Sequence, residues 1–204
     1  MKTALAAALM FGATAAYGAL HSWLASLQAK NLARRLLGPS ADRSYRLAFN
    51  VVGAITFLPL LTIVAWQPGL RLYAVRPPVQ GLLLVGQAAA VLVIILGLLQ
   101  TDVWHFLGLR QLTDTHSGRE STLITTGFYR HVRHPLYTAG FLFLWLTPVM
   151  TSTLFALYAG LSLYLYLGSV FEERRLVAEF GQGYLEYQRQ VPRLIPSLRI
   201  RRHA

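Results

Sequence analysis

Three short polar stretches carry the side chains that could do chemistry. The first is Arg133-His134-Pro135-Leu136-Tyr137, the second Glu172-Glu173 followed by Arg174-Arg175, and the third Val191-Pro192-Arg193-Leu194-Ile195-Pro196. Arginine can grip a carboxylate through paired N–H groups. Adjacent glutamates can accept hydrogen bonds from a cationic or hydroxyl-rich ligand. Each stretch also has a plainer reading. Arg133 and Tyr137 can anchor at a membrane interface, with Pro135 at an early helix position where its missing N–H is harmless. Glu172 and Glu173 can pair with Arg174 or Arg175, worth about 0.2–0.5 kcal/mol per helical pair. Neighbouring helical residues point about 100° apart, so one acid can face a ligand while the other orients an arginine. From these residues alone both readings stay open.

The elements that must position them are apolar. The chain has 204 residues, 54% of them hydrophobic and only 13% charged, with a mean hydropathy of +0.44. Soluble domains are about 25% charged, so this composition predicts an all-α integral membrane protein. There are no cysteines, which excludes disulfides, protein thiolate catalysis and Cys-ligated metal. The net charge of +11 fits basic loops at an anionic membrane surface, with membrane lipids as partners. Nucleic acid is not an expected partner, since no nucleic-acid motif is present.

Five apolar spans are expected, over residues 3–27, 47–66, 79–99, 136–150 and 153–170, in a single domain covering 1–204. Ala16-Tyr17-Gly18-Ala19 could pass for a signal-peptidase site, but the apolar run continues through Trp23 and Leu27, so an uncleaved first helix is expected. The fourth span is too short to cross untilted, and with the fifth it reads as a helical hairpin. A loop is expected over 28–46 and an amphipathic helix to about Gln190. Lys30, Arg34, Arg35, Arg43 and Arg46 lie in the first loop, Arg110, Arg119, Arg130 and Arg133 in the third, and many arginines in the tail. The second loop carries only Arg71 and Arg76. The positive-inside rule then places the C-terminus in the cytoplasm, with a bacterial inner membrane as the expected location. Residues 127–196 become a hairpin whose two polar flanks meet on one side.

Other polar residues have weaker readings. His21-Ser22 sits near the end of the first span, where a histidine needs a partner or a cavity. Asp102 with Phe106-Leu107-Gly108-Leu109-Arg110-Gln111 reads as an interfacial elbow. The histidines show no ligand spacing, so no metal site is expected. No acidic residue lies within a span, which argues against a transporter. There is no G-x-G-x-x-G after a strand, no P-loop and no G-x-S-x-G elbow.

The order Gly127-x-Tyr129-Arg130-x-x-Arg133-His134-Pro135-x-Tyr137, then an apolar hairpin, then Glu172-Glu173-x-x-Leu176-x-x-x-Phe180-Gly181-x-x-Tyr184-x-x-Tyr187 and Val191-Pro192-Arg193-x-Ile195-Pro196, resembles the isoprenylcysteine carboxyl methyltransferase superfamily. Phe128 stands where that family commonly has proline. His21-Ser22, Lys30, Tyr45, the elbow and Trp145-x-Thr147-Pro148 resemble the methanethiol S-methyltransferase and NnrU-like branch. The resemblance implies an integral membrane methyltransferase using S-adenosyl-L-methionine. The implied cofactor-binding residues are Tyr129, Arg133, His134, Tyr137, Gly140, Glu172, Glu173 and Arg193, with His134 and Glu173 at the reacting centre. The acceptor would be a thiol or carboxylate of a small or lipid-like molecule. A thiol gains from a base, for which His134 and His21 are the candidates. The rival is a non-catalytic NnrU-like membrane accessory protein.

Overall fold

The computed structural model describes residues 2–100, 103–113 and 122–196. Asp102, His116 and Arg119, together with the side chains of His105, Phe106 and Gln111, lie outside the described residues. In chain order the elements are α1 (Lys2–Leu24), α2 (Leu27–Leu37), α3 (Ala41–Trp66), β1 (Arg71–Ala74), α4 (Val79–Gln100), α5 (Val103–Leu107), α6 (Arg110–Thr113), a 3-10 turn (Gly127–Arg130), α7 (Pro135–Trp145), β2 (Val149–Thr151), α8 (Ser152–Phe180) and α9 (Gln182–Gln190).

The expected all-α membrane architecture is present. The segments Ala4–Leu24, Ala41–Trp66, Val79–Gln100 and Ser152–Phe180 are long and apolar enough to cross a bilayer. Their large apolar side chains face outward: Leu82 is 69% exposed, Val85 68% and Ile55 59%. In water such a surface would drive association, whereas lipid covers it.

The expected fourth span is shortened. Helix α7 stops at Trp145, 11 residues and so about 16 Å long. Residues preceding a proline avoid the helical region, which ends α7 before Thr147-Pro148. The chain then extends into β2, which pairs antiparallel with β1 through Tyr73↔Met150 and Ala74↔Val149, with a bulge beside Arg71. Thr153 Oγ1 donates to Gln67 O at 2.6 Å, tying α8 to the end of α3. This small ribbon was not anticipated.

The expected loop over 28–46 is also corrected. Most of it is α2, capped by Ser26, whose Oγ accepts from Ala29 N at 3.2 Å, and closed by Gly38 at φ +80°. Leu, Gln, Ala, Lys and Arg are strong helix formers, so the basic charge that suggested a loop sits on a helix.

The described residues form two compact units. One contains α1, α2, α3, the β-ribbon, α5, α6 and the first half of α8. Its core is Met10, Leu60, Ala156 and Leu157, with Tyr17, Phe57 and Leu161 against them. The other contains α4, α7, the second half of α8, α9 and the closing segment. Here α4 and α7 pack closely, with Leu136 over Gly97 and Leu146 over Gly86. Gln87 Nε2 donates to Phe143 O at 2.8 Å, serving one of the carbonyls that the end of α7 leaves free. A second core, Tyr184, Tyr187 and Val191 with Leu123, Leu176 and Phe180, joins α9 to the end of α8.

Gly108 turns the chain between α5 and α6 at φ +87°, and an added Cβ would lie 2.8 Å from Arg46 C and 2.9 Å from Leu47 Cα. Gly108→Ala is expected to lower the melting temperature in detergent. The left-handed backbone alone costs about 1–2 kcal/mol for a residue with a side chain, and the contact with α3 adds to it. A variant that melts with the parent protein would contradict this.

Candidate functional site

The three polar stretches meet in the second unit, and Glu173 is where they converge. It projects from α8 itself, seven residues before that helix ends at Phe180. Its side chain is 4% exposed. Arg133 holds one carboxylate oxygen: Nε and Nη2 both lie 2.7 Å from Oε1. Arg193 holds the other, with Nε at 3.0 Å and Nη2 at 2.7 Å from Oε2. Gln188 Nε2 adds a donor to Oε2 at 3.2 Å, and His134 Nε2 lies 3.3 Å from Oε1. A carboxylate has about four lone-pair sites, so Glu173 is saturated by its own chain.

The backbone reinforces this clamp. Arg133 N donates to Pro192 O at 2.9 Å and His134 N to Arg193 O at 3.1 Å, so the segment before α7 lies alongside the closing segment. Thr138 Oγ1 donates to Leu194 O at 2.6 Å and to His134 O at 3.1 Å. Arg133 Nη1 donates to Gln188 O at 3.0 Å and also to Val191 O. Those carbonyls are among the last of α9, where a cation is favourable. Tyr187 Oη donates to Tyr129 O at 2.6 Å, fixing the 3-10 turn on α9.

Glu172 is placed differently. One residue along α8, it points away from the clamp, and its side chain is 44% exposed. Its Oε2 lies 3.6 Å from His134 Nδ1, and that oxygen is shielded from solvent without a hydrogen-bond partner among the described residues. His134 itself is buried and stands between the two glutamates. Burial pushes its pKa below the ordinary imidazole range, against the opposing pull of Glu172 and Glu173. Tyr137 meets the His134 ring edge-on at 5.3 Å. Burial raises the Tyr129 phenol, and the charge of Glu172 raises it further.

The structure therefore brings Tyr129, Arg133, His134, Tyr137, Glu172, Glu173 and Arg193 into one neighbourhood. Gly140 lies one turn further along α7, where a Cβ would sit 3.4 Å from Leu165 Cδ1 on α8. Its position is one of helix packing. Gln188 and Thr138 were missed by sequence reasoning. Gln188 follows Tyr187 in the tyrosine motif, but nothing in its type separates it from a solvated helix residue. Beside the clamp is an open cavity of about 320 Å³ lined by Val170, Glu173, Arg174, Val177, Gln188 and Arg193. Arg193 is 32% exposed on that side, while Arg133 is 9% exposed.

Glu173→Gln removes the charge that two guanidinium groups share. Arg133 is then left buried without a counter-charge, a loss of about 3–5 kcal/mol for a broken buried pair. The expected result is a much lower melting temperature in detergent, far larger than the effect of Glu172→Gln. Equal melting of the two variants would show that the clamp does not hold the unit together.

The chain resembles several curated proteins named methanethiol S-methyltransferase. One from Crocosphaera subtropica is 32% identical over 189 residues, covering 87% of this chain and 70% of that protein. One from Mycobacterium tuberculosis is 30% identical over 182 residues, covering 86% and 72%. Methanethiol S-methyltransferase 2 of Bradyrhizobium diazoefficiens is 42% identical over a shorter stretch of 106 residues, covering 50% and 40%. No family model and no solved structure matches the chain. Identity of this extent spans most of the chain and more than two thirds of two relatives; the chain is a membrane methyltransferase of the methanethiol S-methyltransferase family, within the isoprenylcysteine carboxyl methyltransferase-like proteins.

Proposed function

We propose that this chain transfers the methyl group of S-adenosyl-L-methionine to a small thiol, using the neighbourhood of Glu172 to hold the methyl donor. The observation that carries the reading is the unmatched oxygen of Glu172. Its Oε2 is shielded from solvent and has no hydrogen-bond partner among the described residues, beside a neighbour whose oxygens are fully occupied. A shielded acceptor of this kind gains from a donor that reaches it. An amine or a ribose hydroxyl would supply that donor, and the methyl donor has both.

The other residues fit the same ligand. Arg193 uses Nε and Nη2 on Glu173 and presents its exposed edge to the cavity, where a carboxylate would be met. Tyr137 offers an aromatic ring for a sulfonium. Glu173, with Arg133 and Gln188 behind it, keeps Arg193 in place. S-adenosyl-L-methionine supplies a methyl carbon bound to a cationic sulfur, open to in-line displacement. The chain's task is then mostly positioning, which can contribute about 7–11 kcal/mol. A thiol acceptor is favoured because the named activity of the relatives is on methanethiol. Those names also favour an enzyme over an accessory protein. The basic loops and tail support a cytoplasmic C-terminus at a bacterial inner membrane, the side from which a soluble methyl donor would arrive.

Calorimetry on the detergent-purified protein tests the reading. S-adenosyl-L-methionine and its homocysteine product are expected to bind the parent chain. Glu172→Gln is expected to weaken binding tenfold or more with its melting temperature preserved. Absence of binding at millimolar ligand would rule the reading out in favour of an accessory role.

A further inference from the structure

The cavity beside the clamp has a second cation in its wall, one that the clamp does not use. From α8 the wall takes Val170, Glu173, Arg174 and Val177. These lie three, four and seven residues on from the first, and so on one face of the helix. Gln188 and Arg193 supply the rest of the lining.

The polar groups of this wall are not equally committed. Both oxygens of Glu173 are taken by Arg133 and Arg193. Gln188 has given an amide N–H to the same carboxylate. Arg193 has Nε and Nη2 on it and keeps only its outer edge for the cavity. Arg174 is held in another way. It is exposed, and its guanidinium carbon stands over the Phe171 ring, 5.5 Å from the centroid. A ring contact steadies a guanidinium without using its N–H groups. In the wall, then, two arginines stand against one carboxylate, and that carboxylate is saturated. Val170 and Val177 add apolar surface suited to a short methylene chain.

We infer that Arg174 is a specificity-determining residue: with Arg193 it makes the cavity a carboxylate site, which selects a methyl donor by its amino-acid end. The inference rests on the proposed function and assigns the selectivity of that site toward its donor. A carboxylate in the cavity would meet Arg193 at its outer edge and Arg174 from α8, with charge-assisted hydrogen bonds to both. A cationic group placed there instead would face two like charges with no acceptor to spare. The positive sulfur of the donor therefore belongs outside this cavity, and its carboxylate inside.

Calorimetry on the full chain in detergent tests this with two ligands, S-adenosyl-L-methionine and its decarboxylated form, which lacks only the carboxylate. The parent chain is expected to prefer the intact donor. Arg174→Gln is expected to weaken binding of the intact donor by about tenfold, the usual worth of a hydrogen bond between charged groups, and not to weaken binding of the decarboxylated form. Arg175→Gln removes the same charge from the next residue, which points about 100° away around α8. Arg175 is not in the cavity wall, and its substitution is expected to leave both ligands unchanged. Equal weakening of the two ligands by Arg174→Gln, no change for either, or the same effect from Arg175→Gln would overturn the assignment of Arg174 while leaving the proposed function standing. A parent chain that binds neither ligand would overturn the proposed function and this inference with it.

Discussion

A buried carboxylate shared between two guanidinium groups sets the terms for the second unit. Glu173, Arg133 and Arg193 come from a helix, the segment before another helix, and the closing segment, 40 and 20 residues apart. Desolvating three charges is unfavourable, and only full satisfaction offsets it. The structure meets that condition oxygen by oxygen, with Arg133 and His134 at Oε1 and Arg193 and Gln188 at Oε2. Because every partner is anchored by backbone or helix-end hydrogen bonds as well, the clamp fixes where the closing segment must run. The cavity beside it inherits its wall from that constraint.

Elsewhere the chain has little hydrophobic drive to bring helices together, since lipid is as apolar as leucine. Close fit and polar satisfaction must do it instead. Gly86 and Gly97 on α4 admit Leu146 and Leu136, and Gly160 on α8 admits Thr14 of α1, each where an added Cβ would come within 2.7 Å of the neighbouring side chain. Thr14 turns its own hydroxyl back to Met10 O at 2.8 Å, so the contact buries no unpaired donor. Gln87 is the polar counterpart in α4, whose sequence has no charge.

Much of this was legible in the residues. Long apolar runs gave the membrane helices, because a span has to satisfy its backbone internally and a helix does so. The polar motifs gave the membership of the clamp. What the sequence could not supply was direction. Glu172 and Glu173 are chemically identical, and only the rotation of α8 sends Glu173 to the two arginines while Glu172 meets His134 alone. Gln188 was hidden for the same reason. The ribbon of β1 and β2 escaped because its strands are short and separated by more than 70 residues, with no periodicity of their own. Helix α2 escaped because its arginines were read as loop charge, although none of its residues breaks a helix.

The division between the paired acids has a chemical consequence. A carboxylate already saturated by two arginines has little left to offer a ligand, and moving it would unseat both cations. A half-exposed carboxylate beside a buried imidazole keeps an acceptor oxygen that is unmatched among the described residues. Adjacent acids on one helix are thereby placed differently: one is taken up by the clamp and the other is left half-exposed beside His134. The saturated one holds Arg193 at a fixed place beside the cavity. Fixed partners of opposite sign need no reorganisation when the ligand arrives, which is the condition under which electrostatic recognition is strongest.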